Sequence, residues 1–328
     1  MFYHSFAPFS GAWKPIEGFP EVRAYMWLDK LSYAFMLESF VYISGYILGF
    51  QVRTKGREIL TRKRIVVSKL RRLIIPCVVF GILYIILFKE NIDRPLLGKV
   101  YSLFSGVGHL WFLPMLFWCF IIVRSVEKWS LKPLLVIIVS ICFSIFHGVS
   151  LPFRLDNSLY YFVFFYLGYC YQRYSISLNR FFTVPLLSAG WSLFIIVFVL
   201  HTLFTENINI ILADHFQLSF TKVLKVVLCN ITKLICSIIG VMLLFGSSCF
   251  AEKQHNNIPK LVYTISSLCM GVYIIHQFIL KLIYYKYCVF LTIDTYVLPW
   301  IAFAFTIMLS VIFSFFTCKT KIGSYLIG

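Results

Sequence analysis

Two ionisable side chains of this sequence lie deep inside long apolar runs, where a charge is costly and polar groups usually have a function. They are Glu38 and His276, each placed well within its run rather than at an end. An imidazole exchanges protons near neutral pH, and a carboxylate can orient such a base. Both residues are therefore candidates for proton-transfer chemistry, with a hydrogen bond between packed helices as the alternative.

A second chemical signal is the strongly basic segment 51–72, QVRTKGREILTRKRIVVSKLRR, which holds nine Lys or Arg and one acid. Guanidinium groups bind phosphate in a bidentate way, so Arg64, Arg71 and Arg72 are candidates for binding a phosphorylated cytosolic ligand. Such a segment also orients a membrane protein and attracts anionic lipid. Charge alone leaves both interpretations open.

The elements that must position these residues follow from composition. The chain has 328 residues, of which 60% are hydrophobic and only 13% are charged. A soluble domain is about 45–50% apolar and about 25% charged, so a soluble enzyme, a disordered chain and a secreted disulfide scaffold are excluded. The apolar runs do not alternate with polar residues, which argues against a transmembrane barrel. The sequence predicts an all-α, polytopic helical bundle.

Nine apolar segments are expected to form full transmembrane helices, after a short remnant of another helix at residues 1–6. The nine segments are Leu31–Phe50, Leu73–Phe88, His109–Val123, Pro133–Phe146, Asn157–Tyr171, Phe182–Phe204, Val226–Ser247, Leu261–Tyr284 and Tyr296–Thr317. Gly45 and Gly49 in the first segment predict that another helix packs closely against it at this pair. We expect one membrane domain over residues 1–328.

Charge asymmetry predicts the orientation of the segments. If segment 51–72 and every second loop after it face the cytoplasm, these loops hold 18 Lys or Arg against three acids. This matches the positive-inside rule and predicts a cytoplasmic C-terminus. The net charge of +17 is then mostly a matter of topology, and no nucleic-acid partner is expected.

Several short motifs, taken in order, resemble those of one family. They are His4-Ser-Phe at the end of a first helix, Phe40–Tyr46 (FVYISGY), Lys69–Pro76 (KLRRLIIP), Gly108–Leu113 (GHLWFL), Tyr160–Tyr169 (YYFVFFYLGY) and Tyr273–His276 (YIIH). In this order they resemble the membrane acyltransferase 3 family, which includes O-acetyltransferases of bacterial surface polysaccharides. The resemblance extends over nearly the whole chain.

The resemblance implies a ten-helix protein of the bacterial inner membrane with both termini in the cytoplasm. It implies transfer of an acyl group, usually acetyl, from cytosolic acyl-CoA as co-substrate to a carbohydrate hydroxyl, with no bound cofactor or metal. The first helix of the family carries an Arg eleven residues before its His. His4 matches that His, and the Arg would precede residue 1. The chain is therefore expected to be truncated at its N-terminus, through a misassigned start or as an inactive fragment.

The resemblance and the charge pattern together give a hypothetical site. His4 is the expected general base, with His276 and Glu38 orienting it or the acceptor. His109, Trp111 and Tyr46 are candidate donors to the thioester oxygen. The candidates for contacts with substrate and acyl-CoA are Arg71, Arg72, Arg64, Trp111, Tyr46 and Ser44. Two alternatives remain open: a transporter or flippase of a lipid-linked sugar, which Glu38 would also suit, and an inactive truncated scaffold.

Overall fold

The computed structural model describes residues 1–16, 19–89, 94–147, 150–212, 218–254, 259–286 and 292–327. These residues form helices and connecting turns, and no strand occurs among them. In chain order the α-helices are α1 (Phe2–Phe6), α2 (Arg23–Tyr33), α3 (Met36–Lys55), α4 (Arg62–Lys69), α5 (Ile75–Phe88), α6 (Leu96–Ser105), α7 (Phe112–Lys128), α8 (Pro133–Ile145), α9 (Leu155–Arg173), α10 (Val184–Leu212), α11 (Leu218–Gln254), α12 (Lys260–Ser267), α13 (Cys269–Tyr285), α14 (Leu298–Lys319) and α15 (Lys321–Ile327).

Six helical stretches within the described residues are long and apolar enough to cross a membrane. They are Arg23–Lys55, Lys63–Phe88, Gly108–Lys128, Val184–Ile208, Val223–Gln254 and Leu298–Lys319. Pro133–Ile145 and Cys269–Tyr285 are apolar but shorter. Each of the nine predicted segments contains a helix. The all-α prediction is therefore confirmed, whereas the number of nine membrane crossings stays a prediction.

Two predicted segments are not continuous helices. The first breaks at residues 34 and 35, where Phe35 has φ −149° and ψ −9°, between α2 and α3. The break leaves the Ala34 carbonyl without its helical partner, and the Ser237 hydroxyl donates to it at 2.6 Å. A polar side chain of this kind makes a helix break tolerable in an apolar environment. The segment Leu261–Tyr284 is likewise interrupted at Leu268 (φ −94°, ψ −1°), between α12 and α13.

The described helices belong to two compact units. Unit 1 comprises Met1–Tyr33, Leu70–Pro114 and Asn257–Gly328. Its apolar core includes Phe6, Phe9, Tyr25, Tyr284 and Leu298, which come from the first residues of the chain and from α2, α13 and α14. Large side chains from four distant parts of the sequence thus fix the N-terminal residues against the C-terminal helices.

Unit 2 comprises Ala34–Lys69 and Met115–Asn256. Its closest helix contact joins α3 and α9, where a Cβ on Gly45 would overlap the Phe165 carbonyl and one on Gly49 would overlap the Tyr169 carbonyl. The predicted close contact at the Gly pair is therefore confirmed. Because position 45 meets 165 and position 49 meets 169, α3 and α9 run in the same direction.

Candidate functional site

Helix α13 carries the first residue of the site, His276, whose side chain is almost fully buried in unit 1. Its Nδ1 lies 2.6 Å from the backbone carbonyl of Tyr273. A carbonyl oxygen can only accept, so Nδ1 carries the proton in this contact. The other ring nitrogen, Nε2, is buried and has no hydrogen-bond partner in the described part of the chain. His276 therefore presents a lone pair.

The second imidazole, His109, lies on a 3-10 turn that α13 holds in place. Gly106 (φ 81°) and Gly108 (φ 55°) supply the left-handed backbone that leads into this turn. The His109 backbone N–H donates to Gln277 Oε1 at 3.0 Å, and the Tyr273 hydroxyl donates to the His109 carbonyl. The ring Nε2 donates to the Ile274 carbonyl at 3.0 Å, which leaves Nδ1 as an acceptor. This Nδ1 is also buried and unpaired among the described residues.

The third imidazole, His4, lies in α1, and α13 holds this segment as well. The Tyr284 hydroxyl donates to the carbonyl of Ser5, the next residue, at 2.6 Å. The His4 ring lies between two others, with its centroid 5.3 Å from that of Trp13 and 5.2 Å from that of His276. His4 is partly exposed, whereas His109 and His276 are buried.

These three residues, which we call the imidazole cluster, come from positions 4, 109 and 276 and meet within unit 1. The His109 and His276 centroids are 5.1 Å apart. Each ring has one buried nitrogen without a hydrogen-bond partner among the described residues: Nδ1 of His4, Nδ1 of His109 and Nε2 of His276. Such an arrangement can accept a proton from a hydroxyl group. No set of three or more His, Cys, Asp or Glu with metal-binding geometry occurs among the described residues.

Other predicted residues of unit 1 lie elsewhere in it. Trp111 closes the 3-10 turn that carries His109. Arg71 and Arg72 lie in a π-helical turn, Leu70–Ile74, and both are exposed. The Arg71 guanidinium carbon lies 3.8 Å from the centroid of the Tyr325 ring, a cation–π contact.

Glu38 belongs to unit 2, where α11 provides its partners. The carboxyl group is fully buried, and its Oε1 lies 4.0 Å from Lys233 Nζ and 3.4 Å from the Oγ of Ser237, whose proton is donated to the Ala34 carbonyl. Its Oε2 is unpaired within the described ranges. In unit 2, Glu38 is thus part of a buried ion pair, and its proposed role in orienting the base stays a prediction.

The remaining predicted residues are also in unit 2. Arg64 pairs with Glu58 at 3.6 Å on the surface. Tyr46 stacks on Tyr171 with 5.9 Å between centroids, and it lines a cleft of about 370 Å³ between α3 and α11. The Ser44 hydroxyl donates to the Phe40 carbonyl of its own helix at 2.9 Å. Ser44 therefore uses its hydroxyl proton within α3.

Sequence reasoning gave no role to the polar side chains of α13 that build the site, although Tyr273 was part of the YIIH motif. Tyr273, Gln277 and Tyr284 recur with His276 at helical spacing, and each hydrogen-bonds a segment that carries an imidazole. This recurrence of polar groups along one apolar helix was the available signal. Asp29 of α2 was missed too: it is buried and accepts from the Ser10 hydroxyl.

Comparison with known proteins gives one match. A family model described as an acyltransferase domain (Acyl_transf_3) matches residues 1–319. No curated protein and no solved structure matches the chain.

Proposed function

Because this chain belongs to the Acyl_transf_3 family and is thus a multi-pass membrane acyltransferase, we propose that it acylates a sugar hydroxyl. The donor is cytosolic acyl-CoA, and the acyl group is acetyl. The acceptor is a cell-surface carbohydrate or a lipid-linked sugar. The protein lies in the bacterial plasma membrane with its C-terminus in the cytoplasm, as the excess of Lys and Arg in alternate loops indicates.

One observation carries this proposal: three histidines from distant parts of the chain meet as the imidazole cluster, although the first and the last are 272 residues apart. Packing alone gives no reason to gather three imidazoles with vacant nitrogens in an apolar core, because each vacant polar atom costs free energy. A sugar hydroxyl needs a base as it attacks a thioester, and an imidazole is suited to that task near neutral pH.

His4 is the proposed base, since it is the partly exposed member of the cluster. As the hydroxyl oxygen bonds to the thioester carbonyl carbon, its proton moves to the imidazole. The carbon–sulfur bond then breaks, and the imidazolium returns the proton to the departing thiolate, so the products are an ester and free CoA. His276, hydrogen-bonded through Nδ1 and tilted by 31° against the His4 ring at 5.2 Å, orients the base.

The proposed donor to the thioester oxygen, where negative charge develops, is Trp111, which closes the 3-10 turn of His109 in unit 1. His109 is a weaker candidate for this role, because its Nε2 proton is committed to the Ile274 carbonyl. Arg71 and Arg72 are the proposed contacts for the CoA phosphates, since both are exposed cations of unit 1.

The test uses the purified protein in proteoliposomes with radiolabelled acetyl-CoA and glycan extracted from the producing cells. We expect label to enter the glycan with wild type and to fall by about 10²–10⁴-fold with His4→Ala. The matched control is His201→Ala, which removes a histidine of unit 2 that contacts Thr232 and should retain transfer.

Normal transfer by His4→Ala would reject His4 as the base. Glycan flux across the vesicles that needs no acetyl-CoA, without label transfer by the wild type, would instead favour a transporter. Full-length folding of each variant is checked by size-exclusion chromatography in detergent.

A further inference from the structure

The second place where chemistry-bearing groups gather is one end of unit 2, where α3, α7 and α9 finish. Gly49 of α3 packs against the backbone of Tyr169 and Arg173, at the end of α9. Phe120 of α7 contacts Phe165 of α9 with 4.9 Å between centroids, and Ser158 donates to the Met115 carbonyl earlier along both helices. All three helices thus run in the same direction, and their C-terminal ends meet.

Several cations lie at this end, around one carboxylate. Arg57 follows α3 and pairs with the buried Glu127 of α7 at 3.1 Å. Arg173 is the last residue of α9, and its backbone packs beside Gly49 of α3. Arg124 lies one helical turn before Glu127 on α7, so the two side chains share a face. We call Arg57, Arg124 and Arg173 the arginine cluster.

Two donors of the arginine cluster are buried without a partner. The Nε atoms of Arg124 and Arg173 have no hydrogen-bond acceptor in the parts of the chain that the structure describes. The negative ends of three helix dipoles explain why cations are stable here. The helix dipoles do not explain the unpaired N–H groups, because a buried donor without an acceptor destabilises the folded protein. An anion in this place would provide the acceptors.

We propose that the arginine cluster binds a phosphate group. A guanidinium Nε–H and its neighbouring Nη–H form the fork that matches two phosphate oxygens. Glu127 lies 3.1 Å from the Nε of Arg57 through one oxygen. Two sources supply this chemistry: a soluble nucleotide-like phosphate and the headgroup of an anionic phospholipid. Neither requires acyl transfer, so the site is tested by binding alone.

The experiment measures two ligands on the full-length purified protein. Adenosine 3′,5′-bisphosphate binding is measured by calorimetry in detergent. Phosphatidylglycerol binding is measured by native mass spectrometry, with phosphatidylcholine as the reference. Arg124→Gln and Arg173→Gln should each weaken binding of one of these probes roughly 10- to 100-fold, the usual effect of lost hydrogen bonds to a charged group.

Two further variants keep the outcome interpretable. Arg180→Gln removes an exposed cation of unit 2, which stacks on Phe181 outside the cluster, and should leave binding unchanged. Arg124→Lys preserves the charge but removes the fork, and should still weaken binding.

If the Arg124 and Arg173 variants lose binding of the bisphosphate alone, the site belongs to a soluble ligand. If they lose binding of phosphatidylglycerol alone, it belongs to lipid. If wild type binds neither probe, or if Arg124→Lys and Arg173→Gln bind as well as Arg180→Gln does, the proposal is wrong.

Discussion

The imidazole cluster of unit 1 and the arginine cluster of unit 2 both bury unsatisfied polar atoms, but of opposite kinds. In unit 1 the unpaired nitrogens of His109 and His276 are acceptors, because the other nitrogen of each ring carries the proton and donates it to a backbone carbonyl. In unit 2 the vacant atoms of Arg124 and Arg173 are donors. A vacant acceptor fits the proton of a hydroxyl, and a vacant donor fits an anion.

The way each cluster is held differs as well. Neutral groups hold the imidazoles: the Tyr273 and Tyr284 hydroxyls, the Gln277 amide and backbone carbonyls of α13. In unit 2, by contrast, charged partners accompany two buried carboxylates: Lys233 pairs with Glu38, and Arg57 pairs with Glu127. We infer that unit 1 is built for proton transfer and unit 2 for binding charge.

The largest effect should come from removing an imidazole. His276→Ala should lower kcat by about 10²–10⁴-fold, because the base loses the group that orients it. Label transfer from acetyl-CoA under saturating donor measures this. An equal loss in Arg173→Gln would erase the distinction between the two clusters.

Removing one member of the Glu38–Lys233 pair should destabilise the protein. Glu38→Ala leaves Lys233 without its carboxylate and should cost about 1–3 kcal/mol, less than for a fully buried pair because the Lys233 side chain is 28% exposed. The double variant Glu38→Ala/Lys233→Ala should recover part of the loss. Thermal unfolding in detergent measures both, and a double variant less stable than either single would contradict a simple pair.

Arg173→Gln should separate binding from chemistry. Binding of adenosine 3′,5′-bisphosphate or of phosphatidylglycerol should weaken at least about tenfold, whereas kcat for acyl transfer stays near the wild-type value. Calorimetry, native mass spectrometry and initial rates at saturating acyl-CoA measure the three quantities. A fall in kcat as large as that of His276→Ala would contradict the separation of the two clusters.

The smallest expected effect concerns the support of His4. Tyr284→Phe removes one hydroxyl that donates to the Ser5 carbonyl, a contribution of about 0.5–1.5 kcal/mol, so kcat should fall no more than about tenfold. Tyr285→Phe is the matched control, because the hydroxyl of Tyr285 donates to Lys14 at the surface. Equal rates for the two variants would show that the Tyr284 bond does not position His4.

Much of the fold was predictable, because apolar runs report helices directly. The breaks after α2 and within the segment Leu261–Tyr284 were not. The first is satisfied by a tertiary contact, the hydrogen bond from Ser237 to the Ala34 carbonyl. Motif order brought His4, His109 and His276 onto one candidate list, but only packing on α13 shows that they meet. Arg124 and Arg173 were counted merely as orientation charges, because burial of their Nε atoms leaves no mark in the sequence.

The most direct test of the central claim is a double-variant cycle on the imidazole cluster. Label transfer from acetyl-CoA is measured for His4→Ala, His276→Ala and the double variant. Residues that act as one unit give non-additive losses, so the double variant should be about as slow as the slower single variant. Losses that multiply, or a single variant as fast as wild type, would contradict a shared role in proton transfer.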